Sequence, residues 1–487
     1  MRKIIENQLK FGQVDISNIE LDLRSRDEIP QLLAGLQAIY SNRKTRSKVF
    51  SILQDIIPDN TDSHNGRPGM NLWSILVLGT LRLNCNWDYD KVLEIANNHK
   101  TLREFLGHTI YDFDQRYALQ TIKDNVSLLT PQHLDRINQV VVTTGHKLIG
   151  HADQPLKGRC DSFVVETDVH YPTDINLLWD AIRKVITLTA AACEVEGITA
   201  WRQSNHILRK IKKVFNRVRR LKRSSSTNED RKAQRQLLIV QTHQEYVDLI
   251  RLYIEQARFT IGFFKQADIG SMSRVINIEH FITHADRQMN QILRRVVKGE
   301  KIEHHEKVFS LFEEHTEWIS KGKAGVPQEL GLKVCILEDQ FGFILHHHVM
   351  ENQTDDQVAV DMVAEAQKKH ANLFSCSFDK GFHSPKNQKD LKPLLDQVVL
   401  PRKGRRSATA KQIEQSEAFI QDRRVHSAVE SAINALENHG LDRCPDHGLG
   451  GFKRYVALAV LSRNLQILGA KLQKRELKKM QRRQKAS

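Results

Sequence analysis

The chain has 487 residues, 40% of them hydrophobic, a formal net charge of +15 and a pI of about 9.4. That length supports two or three domains with cores of their own, and the positive balance points to a polyanion, nucleic acid first among them. The six cysteines are scattered without a CxxC, which argues against a disulfide framework, and no run approaches the ~18 apolar residues of a membrane span. The first eight residues, MRKIIENQ, carry no apolar signal region. A protein that stays in the cytoplasm, with no membrane partner, is expected.

Residues 1–150 read as helical. Leu32, Leu33, Leu36 and Ile39 give one amphipathic stripe that Pro30 opens. Gly66-Arg-Pro-Gly69 is a break, and Leu72, Ile75, Leu76, Leu78 and Leu83 follow as a strongly apolar helix. Asp88–Asn97 and Leu102–Leu106 suggest short helices. Thr130-Pro131 is a helix start, with Thr as cap and Pro at the first helical position. Such a region suits either a DNA-binding head or a structural bundle. At 158–170 the composition turns β-branched and aromatic, which predicts a strand, and Ile175–Ala190 predicts a helix.

Residues 200–325 read as a helical segment. Arg202–Arg223 contains ten Lys or Arg and no acid, while Leu208, Ile211, Phe215 and Val218 recur at three and four. This is an amphipathic helix with a polybasic face. Unmixed positive charge repels itself, so phosphate contact by Arg209, Lys210, Lys212, Lys213, Arg217, Arg219 and Arg220 is the favoured reading. Ser224–Asn228 is a polar turn, and Leu237–Phe264 returns as a helix.

From Leu332 the strand period resumes. Lys333–Leu337 and Phe341–Val349 read as a hairpin, Asp355–Lys368 as a helix, Leu373–Phe378 and Gln397–Leu400 as strands. Lys411–Glu437 and Arg454–Ala470 read as long helices, and 471–487 as a basic, frayed tail. The expected class is α/β with a mixed sheet. Its organisation is a helical region at 1–150, a core from 151–199 and 326–470, and a basic helical insertion at 200–325. The order strand, insertion, hairpin, helix, strand, strand, helix is close to that of a ribonuclease-H-like domain.

Three acids stand where a divalent metal could be held. Asp161 lies in the first strand, Asp379 at the end of a later strand beside Gly381, and Glu430 on a following helix. Mg²⁺ takes oxygen ligands, and two-metal phosphodiester chemistry needs carboxylates that converge from rigid elements. Glu166, Asp168 and Asp174 compete with Asp161, and Glu417 with Glu430. Arg423, Arg424 and Lys453 are available for phosphate. Among the histidines, His280 and His284 have zinc-compatible spacing without an evident third ligand. His346–His348 alternate across a strand, and His439, Cys444 and His447 lie close in a loop.

The pieces Cys160–Asp174, His315–Gly325, Phe378–Phe382 and Val425–Glu430, with the helical run Gly66–Gly107, resemble the DDE transposases of bacterial insertion sequences. The resemblance spans most of the chain, and its motifs are specific jointly. It implies a ribonuclease-H-like core with Asp161, Asp379 and Glu430 as the catalytic, metal-holding acids. It implies Mg²⁺ or Mn²⁺, normally two ions, with Asp161 shared between them. The implied partners are double-stranded DNA, as transposon ends and target, and further copies of the chain in a homodimeric or larger synaptic complex at the nucleoid. The implied reaction is hydrolysis at the transposon end followed by transfer of the freed 3′-hydroxyl into target DNA. A nuclease that cuts without joining and a DNA-binding relative without catalysis are the alternatives. The chain departs from the family around the Glu: many relatives carry Tyr, Arg and Lys there, and this chain has Arg423, His426 and Glu437.

Overall fold

The computed structural model describes residues 3–5, 9–22, 24–57, 69–112, 114–223, 228–264, 269–320, 327–404 and 407–486. The break expected at Gly66–Pro68, most of the polar turn at 224–228 and the end of the His315–Gly325 segment lie outside these. The fold is mixed α/β, built on a mixed sheet of seven strands. The chain divides into two compact units, 1–168 with 317–487, and 169–316.

The first unit opens with seven helices: α1 (Glu28–Ser41), α2 (Arg43–Gln54), α3 (Leu72–Asn84), α4 (Tyr89–Asn98), α5 (Lys100–Phe105), α6 (Leu119–Val126) and α7 (Pro131–Ile149). α1 begins before Pro30, because the Asp27 side chain accepts from the Ile29 amide at 2.8 Å and caps it. Pro30 then sits in the first turn, where its missing N–H costs nothing. α3 is apolar all round and every residue in it is buried, as a helix without a polar face must be. Its one charge, Arg82, meets Asp446 at 2.8 Å and lies over the Tyr89 ring at 4.0 Å. α7 starts where expected: the Thr130 hydroxyl accepts from the His133 amide, and Gly150 ends the helix at φ +82°.

β1 (Leu156–Thr167) follows and is the centre of the sheet. The second unit then carries α8 (Asp174–Val195), α9 (Ser204–Arg223), α10 (Glu229–Phe264) and α11 (Ile269–Ile292). Its core is formed by Ile182, Ile186, Ile211, Phe215, Tyr246, Ile250 and Ile278, with Trp179 stacked on Phe215 at 5.6 Å. Ile211, Phe215 and Val218 are buried, so α9 turns its apolar stripe inward and leaves the basic residues named above exposed.

The chain returns to the first unit through β2 (Glu317–Ser320), β3 (Gln328–Glu338), β4 (Ile344–Met350), α12 (Asp355–Lys369), β5 (Leu373–Phe378), α13 (Pro385–Asp390) and β6 (Gln397–Val399). β3 lies antiparallel to β1, from Arg159↔Glu338 to Glu166↔Gly331, and β4 lies antiparallel to β3. On the other side β5 runs parallel to β1, and β6 parallel to β5. In the turn between β3 and β4, the Asp339 carboxylate accepts from the Phe341 and Phe343 amides. It also meets His146 Nε2 at 2.6 Å, which fastens α7 to the hairpin.

Two readings of the last quarter need correction. The segment expected as one helix over 411–437 is three: α14 (Ala408–Glu414), α15 (Glu417–His426) and α16 (Ala428–Leu436). Ser416 interrupts the run by capping α15 through the Phe419 amide, and Ser427 separates α15 from α16. After β7 (Arg443–Cys444), which pairs with the end of β1, α17 (Gly448–Ala486) continues through the expected tail. Lys, Arg, Gln, Leu and Met at 471–486 are good helix formers, and the Arg475 guanidinium donates to Leu148 O at 2.9 Å, fastening this stretch to α7. α17 crosses α1 at two glycines. A Cβ on Gly35 would meet Leu465 O at 2.2 Å, and one on Gly469 would meet Gln31 O at 1.8 Å.

No helix among the described residues is long and apolar enough to cross a membrane.

Candidate active site

The parallel pairing of β1 and β5 ends at Cys160↔Phe378. The next residue on each strand is an acid, Asp161 and Asp379. Paired strands run about 4.8 Å apart, so the register alone sets these two side by side at the carboxyl end of β5. That end of parallel strands is where α/β sheets present ligand sites. Asp379 leaves the strand and caps a short turn at Lys380–Phe382. Gly381 in that turn lies against Asp355: a Cβ there would come within 3.1 Å of Asp355 Oδ2. The third acid, Glu430, sits in the first turn of α16, which packs on β1 through buried Val429 and Ala432.

The charges of these residues act on one another. Burial pushes the Asp161 carboxyl up to about 6, Asp379, Asp355 and Glu430 add to the rise, and the Ser162 amide donating to Asp161 Oδ1 at 2.7 Å opposes it. Asp379 and Glu430 are exposed and Asp161 is half-buried. His426 belongs to the same cluster. Its Nδ1 lies 3.0 Å from Ser377 Oγ, burial holds its pKa below the usual value, and the negative charges of Asp379 and Glu430 oppose that depression.

Asp355 is a carboxylate that sequence reasoning missed. The capping box of Thr354 and Gln357 starts α12 and puts Asp355 at its first position. There it accepts from Ser162 Oγ at 2.7 Å and from Lys333 Nζ at 3.2 Å to both oxygens. In sequence Thr-Asp-Asp-Gln reads as an ordinary helix start. Only the β1–β3 register, which brings Lys333 and Ser162 together, reveals its position.

The competing acids are elsewhere. Asp168 follows the last residue of β1, seven residues on from Asp161, and is ion-paired with Arg443 at 2.6 Å. Asp174 pairs with Arg295 at 2.8 Å inside the second unit. Glu166 is five residues along β1 from Asp161, roughly 16 Å at strand rise. Glu417 opens α15, one helix before Glu430. Of the candidate phosphate-binding residues, Arg423 and Arg424 are exposed on α15. Lys453 is engaged with Glu351 at 2.5 Å. Arg217 is ion-paired with Glu245 of α10, and Arg219 lies over the Phe215 ring at 5.3 Å.

The donor set suits a hard divalent cation. Neighbouring carboxylates that raise the proton affinity of Asp161 make a site where positive charge is favoured, and oxygen ligands from a strand, a strand end and a helix are those Mg²⁺ or Mn²⁺ accepts. Among the described residues the trio of potential ligands within 4.8 Å of one another is a different one, His280, His284 and Glu314 in the second unit.

Of the other histidines, His346 and His348 have separate partners. His346 Nδ1 lies 3.3 Å from Lys369 Nζ, and His348 Nε2 lies 2.7 Å from Gln353 Oε1. His439 faces Glu28 at 3.5 Å. Comparison of the chain with family models, with curated proteins and with solved structures gives no match.

Proposed function

We propose that this protein is a metal-dependent enzyme that cuts phosphodiesters, and more particularly a DNA transposase of the DDE type. The observation that carries the first step is the grouping of Asp161, Asp379 and Glu430 at the carboxyl end of β5, where the β1–β5 register sets Asp161 beside Asp379 and the charges of Asp379 and Glu430 act on Asp161. Two features support the second. The strand succession β4-β3-β1-β5-β6, with a hairpin antiparallel to β1 and two strands parallel beyond it, is the succession expected of a ribonuclease-H-like core. The second unit enters directly after β1, where the transposase resemblance puts an insertion, and carries the exposed basic face of α9.

Asp161, Asp379 and Glu430 would hold the ions. When bound, these supply positive charge to the attacking and leaving oxygens. Water attacks the phosphorus at the transposon end, the bond to the 3′ oxygen breaks, and a 3′-hydroxyl is freed. That hydroxyl then attacks a target phosphodiester, forming one P–O bond as another breaks. Arg423 and Arg424, exposed on α15 in the helix before Glu430, would hold phosphates, and the exposed basic face of α9 would add phosphate contacts of its own. His426, held by Ser377, feels the charges of Asp379 and Glu430 and would sit beside the bound phosphate.

A strand-transfer assay with Mg²⁺ or Mn²⁺ on terminal-repeat DNA distinguishes the readings. Joined products support the transposase. Cleaved but unjoined ends identify a nuclease, and binding without cleavage a DNA-binding relative.

A further inference from the structure

We propose that the second unit holds a zinc-class divalent cation on His280, His284 and Glu314. The inference does not depend on the transposase reading, because none of its residues belongs to the acidic cluster. His280 and His284 lie one turn apart on α11, so both rings leave the same face of the helix. Glu314 comes from the segment after α11. There the Ser310 hydroxyl accepts from the Phe312 and Glu313 amides at 3.2 and 2.9 Å and fixes the turn.

Glu314 Oε1 lies 2.9 Å from His280 Nε2 and 3.9 Å from His284 Nε2, and all three ligand atoms fall within 4.8 Å of one another. Ligands about 2.0–2.1 Å from a tetrahedral zinc sit roughly 3.3 Å apart, so the observed spacings bracket what one ion needs.

An ion pair alone accounts poorly for His284. The residue is 8% exposed, and its Nδ1 is buried with no hydrogen-bond partner. Two imidazoles and one carboxylate favour Zn²⁺ over Mg²⁺, which prefers oxygen and keeps its water. His280 and Glu314 are exposed, so solvent can complete the coordination. The ion would fasten segment 310–316 to α11 inside this unit.

The test uses Co²⁺ as a spectroscopic probe in the full chain carrying Asp161→Asn and Asp379→Asn, which removes the acidic cluster as a competing site. One equivalent of Co²⁺ should give the intense visible band of four- or five-coordinate cobalt, and Zn²⁺ should abolish it. His280→Asn, at an exposed position where folding is not at risk, should weaken Zn²⁺ binding by more than the roughly 10–100-fold that outer-shell changes cost. His284→Ala should abolish the band. Absence of a band in the parent chain, or a band and affinity unchanged in His280→Asn and Glu314→Gln, would overturn the proposal.

Discussion

Asp161 holds its proton up to a pH of about 6 because burial and three neighbouring carboxylates oppose its charge. The sign of the consequence follows from which state binds the proton. Between the ordinary value of 3.8 and about 6 the native chain binds it and the unfolded chain does not. The stability this contributes is therefore present at low pH and lost as pH rises through 6. At full effect such a rise is worth about 3 kcal/mol, and partial exposure reduces it to about 1–2. Metal-free Asp161→Asn should thus be more stable than the parent by about that amount near pH 7.5, with the gain vanishing near pH 4. Denaturant unfolding at the two pH values checks this, and an equal effect at both contradicts it. A second residue-level expectation concerns Gly381. Alanine there presses on Asp355 Oδ2 and disturbs its contacts with Ser162 and Lys333, so Gly381→Ala should lower cleavage several-fold while global stability changes by less than about 1 kcal/mol. Asp161, Asp379 and Glu430 could be picked out in the sequence because each sits in a short, recognisable context: an acid before a run of valines, an acid before Lys-Gly, and an acid after Arg-Val-His. Asp355 could not, because its capping sequence is one that any helix start uses.

Helix and strand boundaries were legible wherever a cap or a period change marked them. Thr130-Pro131 opens α7, and the β3–β4 hairpin follows the return of alternation. Boundaries set by tertiary contacts were not. Ser416 and Ser427 look like ordinary polar residues in a helical run, yet they divide it into α14, α15 and α16, with Glu430 in the first turn of the last. The close crossing of α1 and α17 was equally hidden, since Gly35 and Gly469 are more than four hundred residues apart in sequence. Backbone carbonyls fill the space a side chain would need, so Gly469→Ala should destabilise the first unit by about 3 kcal/mol, read as a lowered denaturation midpoint. For α9, replacing Arg217, Arg219 and Arg220 with alanine should weaken DNA binding and reduce the salt dependence. The slope of log K against log[salt] should fall by about 0.9 for each phosphate contact removed. An unchanged slope would assign the basic face to something other than DNA.

At the scale of the molecule, the net charge of +15 is carried in part by an insertion unit that buries the apolar stripe of α9 in its own core and leaves the basic side chains of that helix exposed. The other unit joins α1–α7 to the sheet through one continuous core. The measurement that tests the proposed chemistry most directly is Mg²⁺-dependent cleavage of terminal-repeat DNA by the parent chain and by Asp161→Asn, Asp379→Asn and Glu430→Gln singly, with DNA binding followed in parallel. Each single change should reduce cleavage by at least about a thousandfold, the scale on which losing one essential transition-state contact is felt, while end binding persists. Cleavage at the parent rate by Asp379→Asn would contradict the assignment of these acids as one catalytic set.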